Sequence, residues 1–300
     1  MSFQDWLNDD SKVILFDGGM GSELIKRGLE PGKVPDLLNI ENPEIIIEIH
    51  KSYYDAGSDM CQSNTFGSTP INLKRHSLEG KITNIIEKAI DNIKKACPPG
   101  HLIVGDIGPT GEFRPPVGNA SSEEWYSSFK TQAELSEGRV DLFHVETISD
   151  LEEMLAAVHA VKDVSNKPLI ASITYKKTKR GYFTIMGDSL EKCVKTLENE
   201  KVDVIGANCT LGSYDMLDLV KQITELTDLP ISIKPNAGQP RIEGTKTFYD
   251  QPITEFVSDI QKMIDLGVKI VGGCCGTTPE TIKEIRKIID SNKNEMKEKL

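Results

Sequence analysis

Short apolar runs and amphipathic stretches take turns eight times along this chain. The runs begin at Val13 (VILFDGG), Asp59 (DMCQSNTF), Leu102 (LIVGDIG), Val140 (VDLFHVET), Pro168 (PLIASITY), Val202 (VDVIGANCT), Pro230 (PISIKPNAG) and Val268 (VKIVGGCCG). Most are rich in β-branched residues and bounded by Gly, Pro, Asp or Asn, as strands buried on both faces should be. Between them lie segments such as PEIIIEIHKSYYDAG, ITNIIEKAIDNIKKA and ITEFVSDIQKMIDLG, where apolar residues recur at helical spacing opposite charged ones. Several carry helix-start signals, Thr278 before Pro279 and Asp188 before Ser189 among them. Eight strand–helix units at a mean spacing of roughly 37 residues predict an α/β fold, a (β/α)8 TIM barrel of typical size. Residues 1–300 are read as one domain, with a core over about 10–290 and a frayed polar tail, SNKNEMKEKL. A doubly wound open sheet is the alternative; the count of eight and the lack of a dinucleotide fingerprint favour the barrel.

No apolar run approaches the roughly 20 residues needed to span a bilayer. The N-terminus, MSFQDWLNDD, is polar and acidic, unlike a secretory signal. Both features predict a cytoplasmic protein away from the membrane. A formal net charge of −11 disfavours nucleic acid as a partner. Six cysteines in 300 residues are too few for a disulfide scaffold, so the thiols are expected to be free or metal-bound in a reducing compartment.

Barrels of this kind carry their chemistry where strands end and loops begin. Those ends read Asp17-Gly18-Gly19-Met20, Asn64-Thr65, Asp106, Glu146-Thr147, Thr174, Asn208-Cys209, Asn236 and Cys274-Cys275. Successive residues of a strand point to opposite faces. Two neighbouring thiols can therefore serve one site only after the strand has ended, a change of direction that the flanking glycines permit. With Cys209 they form a candidate three-cysteine metal site. Zinc suits it, because three protein ligands leave one position of the tetrahedron open. Three thiolates polarise water less well than three histidines would, yet the metal can hold an incoming thiol as a nucleophilic thiolate. That chemistry points to alkyl transfer onto sulfur. A structural zinc with a fourth ligand and a strained vicinal disulfide are the alternatives. Cys61, Cys97 and Cys193 read as ordinary packing residues.

The motifs DGGMGSEL at Asp17, SNTFGS at Ser63, GDIGPTGE at Gly105, GANC at Gly206, PNAG at Pro235 and GGCCGTTPE at Gly272 together resemble the homocysteine S-methyltransferase family over roughly residues 10 to 290. The resemblance is greatest to homocysteine-binding modules of cobalamin-dependent methyltransferases. It implies a zinc-dependent barrel in which Cys209, Cys274 and Cys275 hold the metal and homocysteine sulfur takes the fourth place, giving methionine. The substrate's ammonium then needs an anion, for which Glu146 and Asp17 are candidates, helped by Asn236 or Asn64. Its carboxylate suits the backbone N–H groups of Gly18, Gly19 and Met20. For Glu146 and Asp17 the alternative is an ion pair with Lys234.

The sequence shows no DxHxxG-like corrinoid signature, which predicts a methyl donor arriving in trans: a methyl-corrinoid carrier protein or a small sulfonium of the S-methylmethionine type. His144 shares strand parity with Glu146 and reads as a hydrogen-bonded core histidine; a different thiol acceptor stays open. The basic stretch KKTKRGYF, with Lys176, Lys177, Lys179 and Arg180, reads as a solvated loop tip or as a dock for an acidic carrier. Two other functions compete: a non-catalytic or partner-dependent zinc- or thiol-binding subunit, and a zinc hydrolase or lyase.

Overall fold

The computed structural model describes residues 2–30, 32–243 and 246–298. Eight parallel strands, β1 (Ile14–Leu15), β2 (Met60–Gln62), β3 (Leu102–Ile107), β4 (Leu142–Ile148), β5 (Leu169–Ile173), β6 (Val204–Gly212), β7 (Ile231–Asn236) and β8 (Ile270–Val271), coincide with the eight apolar runs. Their order is β1-β8-β7-β6-β5-β4-β3-β2, each strand beside its sequence neighbour and β1 beside β8. That order belongs to a barrel and rules out a doubly wound sheet, which must reverse direction at a switch point. The seam between β1 and β2 is closed by Asp59, whose N–H donates to the Leu15 carbonyl at 2.7 Å and whose carboxylate accepts from the Leu15 N–H, also at 2.7 Å.

The outer layer comprises α1 (Pro43–Asp55), α2 (Ile82–Ala96), α3 (Ser122–Ser136), α4 (Leu151–Val164), α5 (Leu190–Asn199), α6 (Ser213–Ile223), α7 (Ile253–Asp265) and α8 (Pro279–Glu298). Helix starts follow their capping chemistry. Ser121 and Glu124 close a capping box on α3, and the Ser189 hydroxyl accepts from the Lys192 N–H on α5. The expectation of a frayed tail is corrected: α8 continues through Glu298. The stretch SNKNEMKE holds no Gly or Pro and contains Lys, Glu and Met, which favour helix. The Asn292 amide also donates to Gln261 of α7 at 3.1 Å. Residues 299 and 300 lie outside the described residues. Among the described residues no helix is long and apolar enough to cross a membrane.

Inside the barrel, alternate residues of each strand point inward, as the pleat requires. The lower layer is apolar: Ile14, Met60, Leu102, Leu142, Ile170, Val204 and Ile270 pack with Phe3, Trp6 and Leu7. Those last three belong to a short N-terminal helix, Phe3–Leu7, started by a capping box between Ser2 and Asp5, that plugs the bottom of the barrel. Further up the strands the character changes: Gln62, His144 and Ser172 lie two residues beyond Met60, Leu142 and Ile170, Asp106 lies four beyond Leu102, and Lys234 faces in from β7. Gln62, Asp106, His144, Ser172 and Lys234 are all buried, and this polar layer is the floor of the site.

Candidate metal centre and amino-acid pocket

β8 ends at Val271, and Gly272-Gly273-Cys274-Cys275 leaves the barrel as a loop bolted to its neighbours. The Gly273 N–H donates to the Asp17 carbonyl (3.0 Å) and the Cys274 N–H to the Pro235 carbonyl (2.8 Å). The Cys275 N–H donates to the Asn236 side-chain oxygen at 3.1 Å, and the Thr277 hydroxyl to the Cys274 carbonyl at 2.7 Å. Gly276 has φ +81, and a Cβ there would collide with Tyr249, so only glycine turns the chain at that point. Both sulfurs are thereby released from strand alternation and can face one centre.

The third sulfur needs a different device. β6 continues past it to Gly212 with a register shift against β7 between Asn208 and Gly212. Cys209 and Thr210 both sit at φ 58, and Thr147 in the matching irregularity of β4 at φ 61. Left-handed conformations are costly for residues with a Cβ and persist where the surroundings enforce them. Here they aim the Cys209 sulfur at the other two. Cys209 Sγ and Cys275 Sγ are 4.0 Å apart, and one sulfur from each of Cys209, Cys274 and Cys275 lies within 4.8 Å of the others.

Two tetrahedral Zn–S bonds of about 2.3 Å set their sulfurs roughly 3.8 Å apart, so the three cysteines fit zinc. All six cysteines are free thiols, and no vicinal disulfide joins Cys274 to Cys275. The trio shares its protons unequally. Donation from the Cys209 and Cys274 thiols holds Cys275 down to about 3 against the opposing effect of burial. Cys209, though it accepts from Cys274, is pushed up to about 12 by its own donation to Cys275 and by burial. Cys61 and Cys193 are fully buried, and Cys97 half-buried, away from the trio.

Beside the sulfurs lies the polar layer. Asn208 links the two: its amide donates to Glu146 Oε2 (3.1 Å) and Thr147 Oγ1 (2.7 Å), and lies 3.9 Å from Cys274 Sγ. Gln62 sits at the centre, its Nε2 donating to Glu146 Oε1 (2.9 Å) and Asp106 Oδ2 (3.2 Å). Its Oε1 accepts from Lys234 Nζ at 2.7 Å. Lys234 pairs with Asp17 Oδ1 at 3.0 Å and stands 4.0 Å over the Phe16 ring. Burial disfavours its charged form, but Asp17 and Glu146 together hold it protonated. Burial raises the Asp17 carboxyl, while Lys234 and the Gln62 N–H (2.8 Å) oppose that rise.

Each expected residue can now be located. Glu146 is joined to the sulfurs through the Asn208 amide, and the carboxylate paired with Lys234 is Asp17. Asn236 holds the Cys275 backbone, and Asn64 is turned outward, donating to the Pro35 carbonyl (3.0 Å) and Asn39 Oδ1 (3.1 Å). Gly19 caps the helix Met20–Lys26, but its N–H already donates to Thr277 Oγ1 at 3.1 Å. His144 is the hydrogen-bonded core histidine expected. Nδ1 meets Gln62 Oε1 at 3.2 Å and Nε2 meets Ser172 Oγ at 2.8 Å, and burial keeps it neutral. Gln62 was missing from the sequence-based site, and Asn208 was read there only as the strand end beside Cys209, without a role. Strand parity could have found both, since each occupies an inward position directly below or beside a residue already singled out.

A family model described as homocysteine S-methyltransferase matches residues 14–289. The chain belongs to that family. Among curated relatives, the methionine synthases of Mycobacterium leprae and Mycobacterium tuberculosis are each 28% identical, over 295 and 296 residues, covering 91% of this chain. This homocysteine S-methyltransferase family member spans 24% of the length of those two relatives. The same fold occurs in the metallated form of the homocysteine methyltransferase MmuM from Escherichia coli, with a TM-score of 0.78, 23% identity, and coverage of 92% of this chain and 96% of that one.

Proposed function

We propose that the protein transfers a methyl group from an activated donor to the sulfur of homocysteine, giving methionine. The observation that carries this is the meeting of three thiols from β6 and β8 within 4.8 Å, one asparagine away from a buried carboxylate. Such a pocket can receive a molecule with a thiol at one end and an ammonium at the other. Cys209, Cys274 and Cys275 are the residues that would hold zinc, and a bound zinc would supply the Lewis acidity that lowers the pKa of a substrate thiol.

The protein's own groups do the rest. Glu146, held by two amides, receives the ammonium; Asp17, fixed by Lys234 and Gln62, reinforces the negative field behind it. The N–H groups of Gly18 and Met20 face the carboxylate. Asn236 and Thr277 lock the cysteine loop, so the nucleophilic sulfur is presented in one direction to the donor. No side chain is needed as a general base. A buried, neutral His144 bonded on both nitrogens is unavailable for that role.

The donor in this reading is a methyl-corrinoid or a sulfonium of the S-methylmethionine type. The hairpin Lys176–Thr178/Gly181–Phe183 rises from the end of β5 on the same rim. Lys177 is spoken for, bonded to Asp215 (2.9 Å) and Asp218 (3.2 Å) of α6. Lys176, Lys179 and Arg180 are exposed and remain as a dock for an acidic carrier.

The test is a panel of methylcobalamin, S-methylmethionine, S-adenosylmethionine and betaine against homocysteine, with zinc quantified in the same preparation. Methionine should form with at least one donor. Cys209→Ala, Cys274→Ala and Cys275→Ala should each lose zinc and turnover together. Zinc-loaded protein that binds no homocysteine would overturn the assignment.

A further inference from the structure

The polar floor of the barrel contains more acid than the proposed transfer uses. Asp106, from β3, is 3% exposed. Its backbone is clamped, the N–H donating to Ser63 Oγ (3.2 Å) and the carbonyl accepting from Thr65 Oγ1 (2.7 Å) and Gln132 Nε2 (3.0 Å). Its carboxyl is poorly provided for. Oδ2 accepts one amide hydrogen from Gln62 at 3.2 Å, and Oδ1, buried, has no partner at all. A ligand-capable atom of Asp106 lies within 4.8 Å of one on Glu146 and one on His144.

The charges facing Asp106 come from every side of this layer. Asp17, two residues past the end of β1, is paired with Lys234 on β7. His144 on β4 is neutral, and Glu146 on β4 accepts two amide hydrogens. Asp36, in the turn Pro35–Leu37, is engaged by Ser68 Oγ at 2.6 Å and the Gly67 N–H at 3.0 Å. Among the described residues Lys234 is the cation named as acting on this group, and it already has its carboxylate. Two further carboxylates on a single amide, both desolvated, cannot stay ionised together without a counter-charge. Of the two, Asp106 has fewer donors.

We propose that Asp106 carries a proton in the substrate-free pocket and releases it to solvent when an ammonium group binds beside Glu146, so that Asp106 selects acceptors bearing a cationic amine. The bond broken is the carboxylic O–H of Asp106. The incoming ammonium supplies the positive charge that the departing proton had supplied. Burial first, and then the charge of Glu146, pushes the Asp106 carboxyl well above the carboxylate range, in keeping with this. The inference rests on the pocket receiving an amino acid, and its test separates the two claims.

Methionine is the probe, because it has the ammonium and carboxylate but no thiol proton to release. Its binding to the zinc-loaded protein is followed by titration calorimetry in buffers of different ionisation enthalpy between roughly pH 6 and 8.5. Wild type should release about one proton on binding, and Kd should fall about tenfold per pH unit. Asp106→Asn, which copies the protonated form in shape, should bind without proton release and with a Kd that does not vary with pH. A wild-type Kd independent of pH, or an Asp106→Asn protein that keeps the slope, would overturn the role of Asp106 while leaving the amino-acid pocket standing. Absence of binding by both methionine and homocysteine would overturn the pocket itself, and this proposal with it.

Discussion

Lys234 is among the largest fully buried side chains of the protein, and what it does for the site follows from what its removal would leave. Its ammonium satisfies Asp17 and Gln62 Oε1; through Gln62 it orients the amide that serves Glu146 and Asp106. Lys234→Met would keep the bulk and strand an ionised or newly protonated Asp17 in the interior. The expected cost is about 3–5 kcal/mol of folding stability, as for other buried pairs broken from one side, read from urea unfolding at pH 7. Zinc content should survive, because the hydrogen bonds that hold the cysteine loop come from the Asp17 and Pro235 carbonyls, Asn236 and Thr277 and not from the Lys234 ammonium; loss of the metal as well would show that the floor and the metal centre are one cooperative unit. Lys234 also shows what a sequence conceals at this scale. Its inward position follows from strand parity, but its choice of Asp17 over Glu146 is decided by a 3.0 Å contact between β7 and β1 that no local pattern encodes.

Two elements contribute stability in ways that can be measured separately. The N-terminal stretch that holds the helix Phe3–Leu7 reads in the sequence as polar and acidic, yet Phe3, Trp6 and Leu7 are buried against the lower barrel layer. Five residues are too few to show a helical period, so its role becomes visible only once the barrel bottom exists to receive it. Trp6→Ala should cost about 3–5 kcal/mol, measured as a shift in the denaturation midpoint with an unchanged slope. Helix α1 carries a different liability. His50 is fully buried, neither ring nitrogen has a partner, and burial pushes it down to about 3 from an ordinary 6.5. The unfolded chain therefore binds this proton below pH 6.5 while the folded chain refuses it until about pH 3. Stability falls as pH drops through that window, by about 2 kcal/mol between pH 6.5 and 5. His50→Leu should remove this acid loss. The difference between the two proteins isolates His50, because buried carboxyls with raised pKa, such as Glu153, pushed up to about 7 by burial, lose stability in the opposite direction, as pH rises.

At the scale of the molecule, the acidic chain puts a basic hairpin on its reactive rim. Replacing Lys176, Lys179 and Arg180 by Glu should slow methyl transfer from a protein carrier severalfold and, at low salt, most strongly, while transfer from a small sulfonium stays as it was. Equal effects on both donors would assign the hairpin to the barrel's own stability. The architecture and the reactive rim were legible in the chain alone, since hydrophobic period separates strand from helix and eight alternations leave few ways to bury every strand on both faces. The three cysteines were legible for the same reason: strand ends of a barrel share one rim, however distant they are in sequence. Hydrophobic period carries no information about the left-handed turns at Cys209 and Thr210 that aim one sulfur, the central place of Gln62, the Thr277 hydroxyl that occupies the Gly19 N–H, or the unpartnered Oδ1 of Asp106. Those depend on atoms brought within hydrogen-bonding distance from different strands, and on the loss of water around them, which exist only when the barrel has closed.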